Sequence, residues 1–369
     1  MWPPADGTVM EQAFWRGRRV LVTGHTGFKG SWLATWLDAL GATVTGIGLD
    51  PPTTPSHFDL AGVGTALFAD HRIDVRDGAA VERIITAAEP QVVFHLAAQP
   101  LVLKSYAAPV DTFHTNIMGT AHVVRAAATT ASVEAIVVVT SDKVYDNREW
   151  PHPYREPDKL GGHHPYSASK ACAELVTASL RQSLATQAAI ATARAGNVIG
   201  GGDFAANRIV PDCARAFCAA EPVVLRRPDA VRPFQHVLDA LSGYLLLAQW
   251  LVEGDGGTEP CFNFGPDPGG EQTVGALAGR MAEMWGADAS VIFDASPDAH
   301  PEAGLLRLDS TKARVTLGWH PAWDFETVLA QTTAWYRAWN DGADLAALTR
   351  RQIADYEAVR PGGLRVALR

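Results

Sequence analysis

In RVLVTGHTGFKG, residues 19–30, an apolar run leads directly into a segment with three glycines, and this combination is typical of one class of fold. Arg19–Thr23 has the composition of a short buried strand, and the ten residues after Gly30 have the apolar spacing of a helix. Glycines between a strand and a helix permit a tight turn and let backbone N–H groups approach a diphosphate at the helix N-terminus. Gly24, Gly27 and Gly30 therefore predict a dinucleotide-binding turn.

The residue that ends the second predicted strand indicates which dinucleotide binds. This strand covers residues 43–50 and ends in Asp50, twenty residues after Gly30. A carboxylate at that place accepts hydrogen bonds from the adenosine ribose and repels a 2′-phosphate, and Pro51–Thr54 adds no Arg or Lys to bind one. We therefore expect NAD rather than NADP. Asp74, at the end of the third predicted strand, fits either an adenine contact or an ordinary turn.

The first half of the chain continues to alternate between apolar strands and helices. Strands are predicted within residues 66–75, 91–99, 134–141 and 189–200, and helices at 77–88, 110–130 and 166–184. Continuous apolar strands that alternate with helices are typical of a parallel sheet covered on both faces. We therefore predict an α/β fold of the Rossmann type, with a doubly wound parallel sheet.

The pattern loosens beyond residue 200, where glycine- and proline-rich loops separate short strands and helices. We expect a smaller C-terminal α+β lobe there that binds the substrate. The predicted units are an NAD-binding Rossmann domain at 10–190 with a returning segment near 236–265, a substrate-binding lobe at 191–355, and an unstructured extension at 1–9, after which Met10 is an alternative start.

Composition argues against several classes of protein. The formal net charge is −9 and the isoelectric point is about 5.7, without a basic patch, which disfavours nucleic-acid or anionic membrane partners. The four cysteines form no CxxC pair, and no metal site is predicted from His152, His163 and His164, which lack supporting ligands. With no apolar run of about 18 residues and no signal-peptide pattern, we expect a cytoplasmic protein with reduced cysteines.

Tyr166 and Lys170 form a YxxxK pair whose spacing puts both side chains on one face of a helix. An ammonium close to a phenol favours the phenolate, so we expect Lys170 to lower the pKa of Tyr166 from its usual value of about 10. Such a tyrosine can take a proton from a sugar hydroxyl while a hydride leaves the same carbon. The alternative is a surface tyrosine packed on the aliphatic part of the lysine.

Lysine usage points to the same region. Only six of the 31 basic residues are lysines, and Lys29, Lys143 and Lys170 all lie within candidate motifs. Lysine can lose its proton in a perturbing environment and arginine effectively does not, so these positions predict a need for that chemistry. Lys143 also follows Asp142 at the end of a predicted buried strand, which puts an acid and a base side by side.

Nine segments in order carry a resemblance to a known family: GHTGFKG (24–30), LAAQP (96–100), TSDKVYDNREW (140–150), YSASK (166–170), RAGNVIGGGDF (194–204), NRIVPD (207–212), RPFQHV (232–237), FNFGP (262–266) and LGWHP (317–321). Over residues 11–357 the chain resembles the CDP-glucose 4,6-dehydratases of the extended short-chain dehydrogenase/reductase superfamily. GxxGxxG and YxxxK occur throughout that superfamily, whereas the SDK triplet and RPFQHV are narrower signals.

The resemblance implies an NAD site and its residues. Thr26, Gly27 and Phe28 would line the diphosphate, Asp50 would hold the adenosine ribose, and Lys170 would hold the nicotinamide ribose. The other implied cofactor contacts are Gly24, Gly30, Asp74, Ala97, Ala98, Gln99 and Tyr166.

The resemblance also implies the catalytic and substrate-binding residues. Tyr166 would be the base at the sugar C4 hydroxyl. In related nucleotide-sugar dehydratases the triplet after the strand is Thr-Asp-Glu; its members help hold the C4 oxygen, protonate the C6 hydroxyl and take the C5 proton. The corresponding residues here are Ser141, Asp142 and Lys143, and the implied substrate contacts are Asn197, Arg208 and Arg232. Ordinary salt bridges are the alternative role of the two arginines.

The implied reaction converts CDP-glucose to CDP-4-keto-6-deoxyglucose and water, through transient C4 oxidation by bound NAD, elimination across C5 and C6 and hydride return to C6. It needs a protonated Asp142 and a neutral Lys143. Burial favours these forms of both groups, whereas their opposite charges favour the ionised forms, and the sequence leaves the balance open.

The resemblance also implies an oligomeric state, and the sequence leaves alternative functions open. Relatives pair through the helices predicted at 110–130 and 166–184, so we expect a homodimer or a higher homo-oligomer. The alternatives are a nucleotide-sugar 4-epimerase, which needs no acid and base beyond Tyr166, a dehydratase of a different nucleotide sugar, and a non-catalytic NAD-sensing regulator that has kept the fold.

Overall fold

A parallel sheet of seven strands forms the centre of the protein. The computed structural model describes residues 12–254, 260–267, 269–294 and 304–360. The strands within these residues are β1 (Arg19–Thr23), β2 (Thr43–Gly48), β3 (Ala69–Arg72), β4 (Val92–His95), β5 (Ala135–Val139), β6 (Ala189–Ala195), β7 (Val198–Ile199), β8 (Pro222–Leu225), β9 (Val231–Arg232), β10 (Gln235–His236), β11 (Cys261–Phe264), β12 (Gln272–Thr273) and β13 (Ser290–Phe293).

Helices connect and cover these strands. The α-helices of the described residues are α1 (Gln12–Trp15), α2 (Phe28–Ala39), α3 (His57–Leu60), α4 (Gly78–Ala88), α5 (Val102–Ala107), α6 (Pro109–Phe113), α7 (Gly119–Ala128), α8 (Pro165–Ser183), α9 (Ile209–Cys218), α10 (Val237–Glu253), α11 (Val274–Trp285), α12 (Thr311–Leu317), α13 (Phe325–Asn340) and α14 (Leu345–Val359). A π-helical turn, His114–Met118, joins α6 to α7, and 3-10 turns span Val63–Thr65 and Asp142–Val144. No helix in this part of the chain has the length and apolar character needed to cross a membrane.

The strand order of the central sheet is β3-β2-β1-β4-β5-β6-β11, and all neighbours pair in parallel. The order reverses direction between β1 and β4. In open α/β sheets a ligand binds at such a reversal, beside the carboxyl ends of the strands. The predicted α/β fold with a doubly wound parallel sheet is therefore confirmed, and the reversal locates the expected ligand site.

The sheet is buried on both faces because its strands are apolar at successive positions. All five residues of β5 are buried. Ile136 and Val138 belong to a core cluster with residues of α4 and α7, whereas Val137 and Val139 belong to the cluster that contains α2 and α10. Since successive strand side chains point to opposite faces, this division places one helical layer on each side of the sheet.

The prediction of one continuous strand at 189–200 is wrong. The structure divides this segment into β6 and β7, separated by Gly196 and Asn197. Asn197 has a φ of 44°, in the left-handed region, which no β-strand residue adopts. The chain therefore turns out of the central sheet at Asn197, next to the carboxyl end of β6.

The C-terminal half adds small sheets to the central one. Three two-stranded sheets pair β10 with β7, β12 with β9 and β13 with β8, while β11 returns to the edge of the central sheet beside β6. The division into a Rossmann domain and a lobe stays a prediction. Residues 1–9, part of the returning segment (255–259) and part of the lobe (268 and 295–303) lie outside the described residues.

Candidate active site

The turn between β1 and α2 is closely packed because its glycines have no side chain. Gly24 has a φ of 74°, and a Cβ atom on it would lie 2.8 Å from the backbone nitrogen of Ala97. A Cβ atom on Gly30 would lie 2.1 Å from the carbonyl oxygen of Gly24. Gly27 precedes α2 without a side-chain cap, which leaves the first-turn N–H groups of the helix for an anion. This turn fits the diphosphate of a dinucleotide.

Two side chains of the turn tie it to neighbouring segments. The Thr26 hydroxyl donates a hydrogen bond to the carbonyl oxygen of Leu49, at 2.9 Å, and so fixes the turn against the residues after β2. The Phe28 ring lies beside Gly200, where an added Cβ atom would come within 3.3 Å of it. The dinucleotide turn thus contacts the segment that follows β7.

Asp50 has a basic neighbour that the sequence interpretation missed. Its side chain is 89% exposed, and its Oδ1 lies 3.4 Å from Nη1 of Arg72. Pro51–Thr54 contains no Arg or Lys, but a basic residue reaches Asp50 from a distant part of the chain. Arg72 comes from β3 and pairs with Gly48 of the adjacent strand β2.

Asp74 forms a local turn. Its carboxylate accepts hydrogen bonds from the backbone nitrogen of Arg76, at 2.9 Å, and from Nε of the same residue, at 2.8 Å. These contacts explain the conformation between β3 and α4. An adenine contact for Asp74 stays a prediction.

The segment after β4 is held against α8. Ala97 donates its backbone N–H to the Thr23 hydroxyl at 3.1 Å, and Ala98 is half-buried beside it. The backbone N–H of Gln99 donates to Asn116, whose Nδ2 donates to the Ser169 hydroxyl on α8 at 2.8 Å. This chain of hydrogen bonds fixes the spacing between the ends of β1 and β4 and helix α8.

Tyr166 and Lys170 are both buried on α8. The Lys170 Nζ donates a hydrogen bond to the carbonyl oxygen of Val139, the last residue of β5, at 3.0 Å. Burial lowers the pKa of Lys170 to about 8. Burial also raises the pKa of Tyr166, although a hydrogen bond with the Ser141 side chain lowers it in part. The prediction that the pKa of Tyr166 is lowered is therefore wrong for the protein without bound ligands. Removal of the phenol from water raises the pKa by more than the neighbouring groups lower it.

Ser141, Asp142 and Lys143 follow β5 and lie beside Tyr166. The Ser141 hydroxyl donates to Oδ1 of Asp142 at 2.9 Å. Lys143 Nζ lies 3.7 Å from the same oxygen, with 30% of the lysine side chain exposed and 1% of the aspartate side chain exposed. Asp142 Oδ2 is buried without a hydrogen-bond partner in the described part of the protein. The structure thus brings together the hydroxyl, the acid and the base that the resemblance assigned.

The predicted substrate residues have different surroundings. Asn197 has a buried Nδ2 without a hydrogen-bond partner among the described residues. Arg208 precedes α9 and donates from Nη1 to Oδ2 of Asp203 at 2.7 Å. The positive charge of Arg208 lowers the pKa of Tyr166. Arg232 is buried and donates to the carbonyl oxygen of Val231 at 3.0 Å.

Lys29 is a site residue whose role sequence reasoning left unassigned. It lies in the first turn of α2, and burial, followed by the charges of Arg208 and Lys170, lowers its pKa to about 7. Asp142 acts in the opposite direction. The unusual choice of lysine in the glycine turn was the available signal. Its amine interacts with the charges of the candidate site residues Lys170, Asp142 and Lys143.

Comparisons with known proteins show the family of the chain. A model of the NAD dependent epimerase/dehydratase family matches residues 20–265. The CDP-glucose 4,6-dehydratase of Salmonella typhimurium is 44% identical over 355 residues, which cover 94% of this chain and 98% of the relative. The dTDP-glucose 4,6-dehydratase of Streptomyces antibioticus is 31% identical over 86% of this chain and 92% of the relative.

A solved structure extends the comparison to three dimensions. The complex of Thermus thermophilus UDP-glucose 4-epimerase with NAD superposes with a TM-score of 0.75 and 26% identity, covering 86% of this chain and 99% of the other. The resemblance deduced from the nine sequence segments is confirmed. The chain belongs to the NAD dependent epimerase/dehydratase family, whose cofactor is the one predicted from the glycine turn and Asp50.

Proposed function

We propose that the protein is a CDP-glucose 4,6-dehydratase, a hydro-lyase that converts CDP-glucose to CDP-4-keto-6-deoxyglucose and water. The observation that carries this proposal is the ion pair of Asp142 and Lys143 after β5, 3.7 Å long, beside a Ser141 hydroxyl that donates to Asp142 and is hydrogen-bonded to Tyr166. Elimination of water needs an acid and a base in addition to the tyrosine. The identity of 44% with a CDP-glucose 4,6-dehydratase along nearly the whole chain supports the choice of substrate.

The cofactor site is assigned to the turn between β1 and α2. Gly24, Thr26, Gly27 and Phe28 would hold the NAD diphosphate, with Gly30 permitting the close approach of helix and turn. Asp50, Asp74, Ala97, Ala98, Gln99, Tyr166 and Lys170 are the other proposed contacts. When bound, NAD would accept the hydride from the sugar C4 and return it to C6.

Tyr166 would take the proton of the C4 hydroxyl, and Ser141 would orient that oxygen. Because burial disfavours the phenolate, the tyrosine needs a nearby cation in the loaded site. Arg208, whose charge lowers the pKa of Tyr166, and Lys170 on the next turn of α8 are the proposed cations. Lys170 itself is held by Val139, so its ammonium has a fixed place relative to β5.

Asp142 and Lys143 would carry out the elimination. Lys143 takes the C5 proton, and Asp142 donates a proton to the C6 hydroxyl, which leaves as water. Lys143 then returns its proton to C5 as the hydride arrives at C6. The proton taken from the C4 hydroxyl must finally restore Asp142, and Ser141, hydrogen-bonded to Tyr166 and to Asp142, connects the two groups.

The substrate diphosphate is assigned to Asn197, Arg208 and Arg232. Guanidinium groups suit the bidentate recognition of phosphate. The unpartnered amide of Asn197 and the effect of the Arg208 charge on Tyr166 support this assignment. For Arg232 the support is its place in the RPFQHV segment alone.

The test is incubation of the purified protein with CDP-, UDP-, GDP- and dTDP-glucose, followed by detection of a 4-keto-6-deoxy sugar through its absorbance at high pH. We expect the product with CDP-glucose and much less with the others. A keto product from another nucleotide sugar would support the dehydratase activity but contradict the assignment of CDP-glucose as the substrate. Absence of a keto product from all four would overturn the proposal.

A nucleotide-sugar 4-epimerase is the second candidate, favoured by the similarity to the Thermus thermophilus epimerase. An epimerase needs Tyr166 and Lys170 but no separate acid and base. Chromatographic separation of galactose from glucose nucleotides in the same incubations distinguishes the two reactions. Epimer without keto product would select the second candidate.

We also propose a homodimer in a reducing cytoplasm. Large apolar side chains are exposed on the helices expected to pair: Val110 on α6 is 76% exposed, Met118 on the π turn 46% and Leu175 on α8 59%. All four cysteines are free thiols. Light scattering after gel filtration should give twice the chain mass, and Leu175→Glu should shift it toward the monomer.

A further inference from the structure

Four side chains form a continuous polar network at the carboxyl ends of β1, β2 and β3. His25, in the glycine turn, donates from Nε2 to Oδ1 of Asp70 at 2.9 Å. Arg72 donates from Nε and from Nη2 to the two carboxylate oxygens of Asp70, at 2.7 Å each. The remaining terminal nitrogen of Arg72 lies 3.4 Å from Asp50. The network therefore ends at the residue proposed for the adenosine ribose.

The sheet fixes this network. In the parallel pairing of β2 with β3, Gly46 is opposite Asp70 and Gly48 is opposite Arg72. Asp70 and Arg72 are two residues apart on a strand, so their side chains project from the same face. The His25 ring lies against Gly46, where an added Cβ atom would come within 2.5 Å of it. Burial lowers the pKa of His25, so its imidazole is a neutral donor to Asp70.

Arg72 is restrained by more than its ion pair. Its guanidinium lies over the Phe58 ring, 4.8 Å from the ring centroid. Two of its three nitrogens are used by Asp70 in a bidentate pair, the arrangement by which arginine also binds phosphate. Asp70 thus occupies the donors that a phosphate would need.

The net charge of the network also disfavours a phosphate at this place. Arg72 contributes +1, and Asp50 and Asp70 contribute −1 each, so the local sum is 1 − 2 = −1. NADP differs from NAD by a phosphate on the adenosine 2′ oxygen, which would meet this negative charge. Replacement of both carboxylates by amides changes the sum to +1 and releases the arginine.

We propose that Asp70 is a specificity-determining residue for the cofactor: it occupies two nitrogens of Arg72 and adds a negative charge beside the adenosine 2′ position, so that the site accepts NAD and rejects NADP. His25 is a positioning residue that orients Asp70 from the glycine turn. The discrimination depends on Asp70 and Asp50 together, and not on the absence of a basic residue. The inference concerns the cofactor alone and is independent of the sugar nucleotide.

The test compares the parent protein with Asp50→Asn, Asp70→Asn and the double variant. Each purified holoprotein is incubated with a large excess of NADP, washed and extracted, and the NAD and NADP that it held are separated by chromatography. The parent should retain NAD. The ratio of NADP to NAD should rise modestly in Asp50→Asn and by about tenfold or more in the double variant, since each charge near 4 Å contributes about 1 kcal/mol even in water.

A third substitution makes the test specific. Arg72→Met in the background of the double variant should abolish the gain in NADP, because the freed guanidinium is the proposed phosphate ligand. High ionic strength should also reduce the gain. Retention of NAD by the double variant to the same degree as by the parent would overturn the proposal, and so would a gain that survives Arg72→Met. Asp50→Asn is a surface change that measures the contribution of Asp50 separately from that of Asp70.

Discussion

Lys143 Nζ lies 3.7 Å from Oδ1 of Asp142, whereas Oδ2 of the same carboxylate is buried against Gly196 without a hydrogen-bond partner in the described structure. One oxygen is thus used by Ser141 and Lys143, and the other is available to carry a proton. This asymmetry suits Asp142 to the role of acid and leaves Lys143, which is partly exposed, to act as the base.

Replacement of Lys143 separates the two halves of the proposed reaction. Lys143→Ala should retain slow oxidation at the sugar C4, because Tyr166 and Lys170 are unchanged, but it should lose exchange of the C5 proton with solvent. Single turnovers in deuterium oxide, analysed by mass spectrometry of the sugar, measure this exchange, and the absorbance of the reduced nicotinamide follows the oxidation. Unchanged exchange would remove Lys143 from the role of base.

A surface lysine provides the control for this variant. Lys159 is 74% exposed, and its Nζ lies 3.0 Å from Asp146. Lys159→Ala removes the same charge and chain length from a place outside the proposed site. It should retain both oxidation and exchange.

Gly196 leaves the space that the proposed acid occupies. A Cβ atom on this residue would lie 2.0 Å from Oδ2 of Asp142, so Gly196→Ala forces the carboxylate to move. We expect kcat to fall by about 100-fold or more, in the range that general acid catalysis contributes. Steady-state formation of the keto product measures the effect. Activity within a factor of two of the parent would contradict the placement of Asp142.

The matched control for Gly196 is Gly279, in the middle of α11. An added Cβ atom there meets nothing within 4 Å among the described residues. Gly279→Ala should leave kcat unchanged and increase the free energy of unfolding by up to about 1 kcal/mol, because alanine has the higher helix propensity.

The buried pair of Arg194 and Glu174 joins the catalytic helix to the central sheet. Arg194 donates from Nε and Nη2 to the two carboxylate oxygens, at 3.0 and 2.9 Å, and both side chains are almost fully buried. Thr140, the residue before Ser141, donates to the same carboxylate. Arg194→Met should therefore lower the free energy of unfolding by about 3–5 kcal/mol, since it leaves a buried charge without its partner. Urea denaturation checks this value.

The exposed pair of Arg125 and Glu82 is the control for Arg194. Its side chains are 59% and 50% exposed, and the N–O distance of 2.8 Å is as short as that of the buried pair. Arg125→Met should change the free energy of unfolding by less than about 1 kcal/mol. Equal losses from the two substitutions would show that burial does not determine the strength of the inner pair.

Much of the candidate site could be predicted because its residues lie close together along the chain. The glycine turn follows from a strand, three glycines and a helix within RVLVTGHTGFKG, and the shared face of Tyr166 and Lys170 follows from helical geometry. The helix predicted at 166–184 is α8, Pro165–Ser183. Adjacency in the chain likewise puts Asp142 beside Lys143.

Features that depend on the pairing of strands or on the depth of burial could not be predicted from the sequence pattern. Arg72 approaches Asp50 only because β3 lies beside β2 in a given register. The break between β6 and β7 depends on the left-handed conformation of Asn197, which residue composition leaves open. The pKa of Tyr166 shifts upward because burial exceeds the effect of its neighbours, and the depth of burial is a property of the folded chain.

We expect the buried carboxyl group of Asp239 to make the stability of the protein depend on pH. It is fully buried on α10, where Oδ1 accepts hydrogen bonds from the backbone of Ala322 and from the Tyr356 hydroxyl, each at 2.8 Å. Burial raises its pKa from 3.8 to about 7. Between these values the folded protein keeps a proton that the unfolded chain has lost, so the free energy of unfolding falls as the pH rises. The contribution is fully present below pH 3.8 and lost above about pH 7.

Asp239→Asn should remove this dependence while keeping an acceptor for Ala322 and Tyr356. Urea denaturation of both proteins between pH 4.5 and about 8 measures it: the parent should lose stability relative to the variant as pH rises, by up to about 4 kcal/mol for a shift of three pKa units. The comparison cancels the opposite contributions of His57, His95 and His236, whose pKa values burial lowers to about 3 in both proteins. Asp288→Asn, at an exposed site, should run parallel to the parent. A difference between parent and Asp239→Asn that stays constant with pH would show that Asp239 is ionised throughout, with its charge stabilised by the network of α10 and α14.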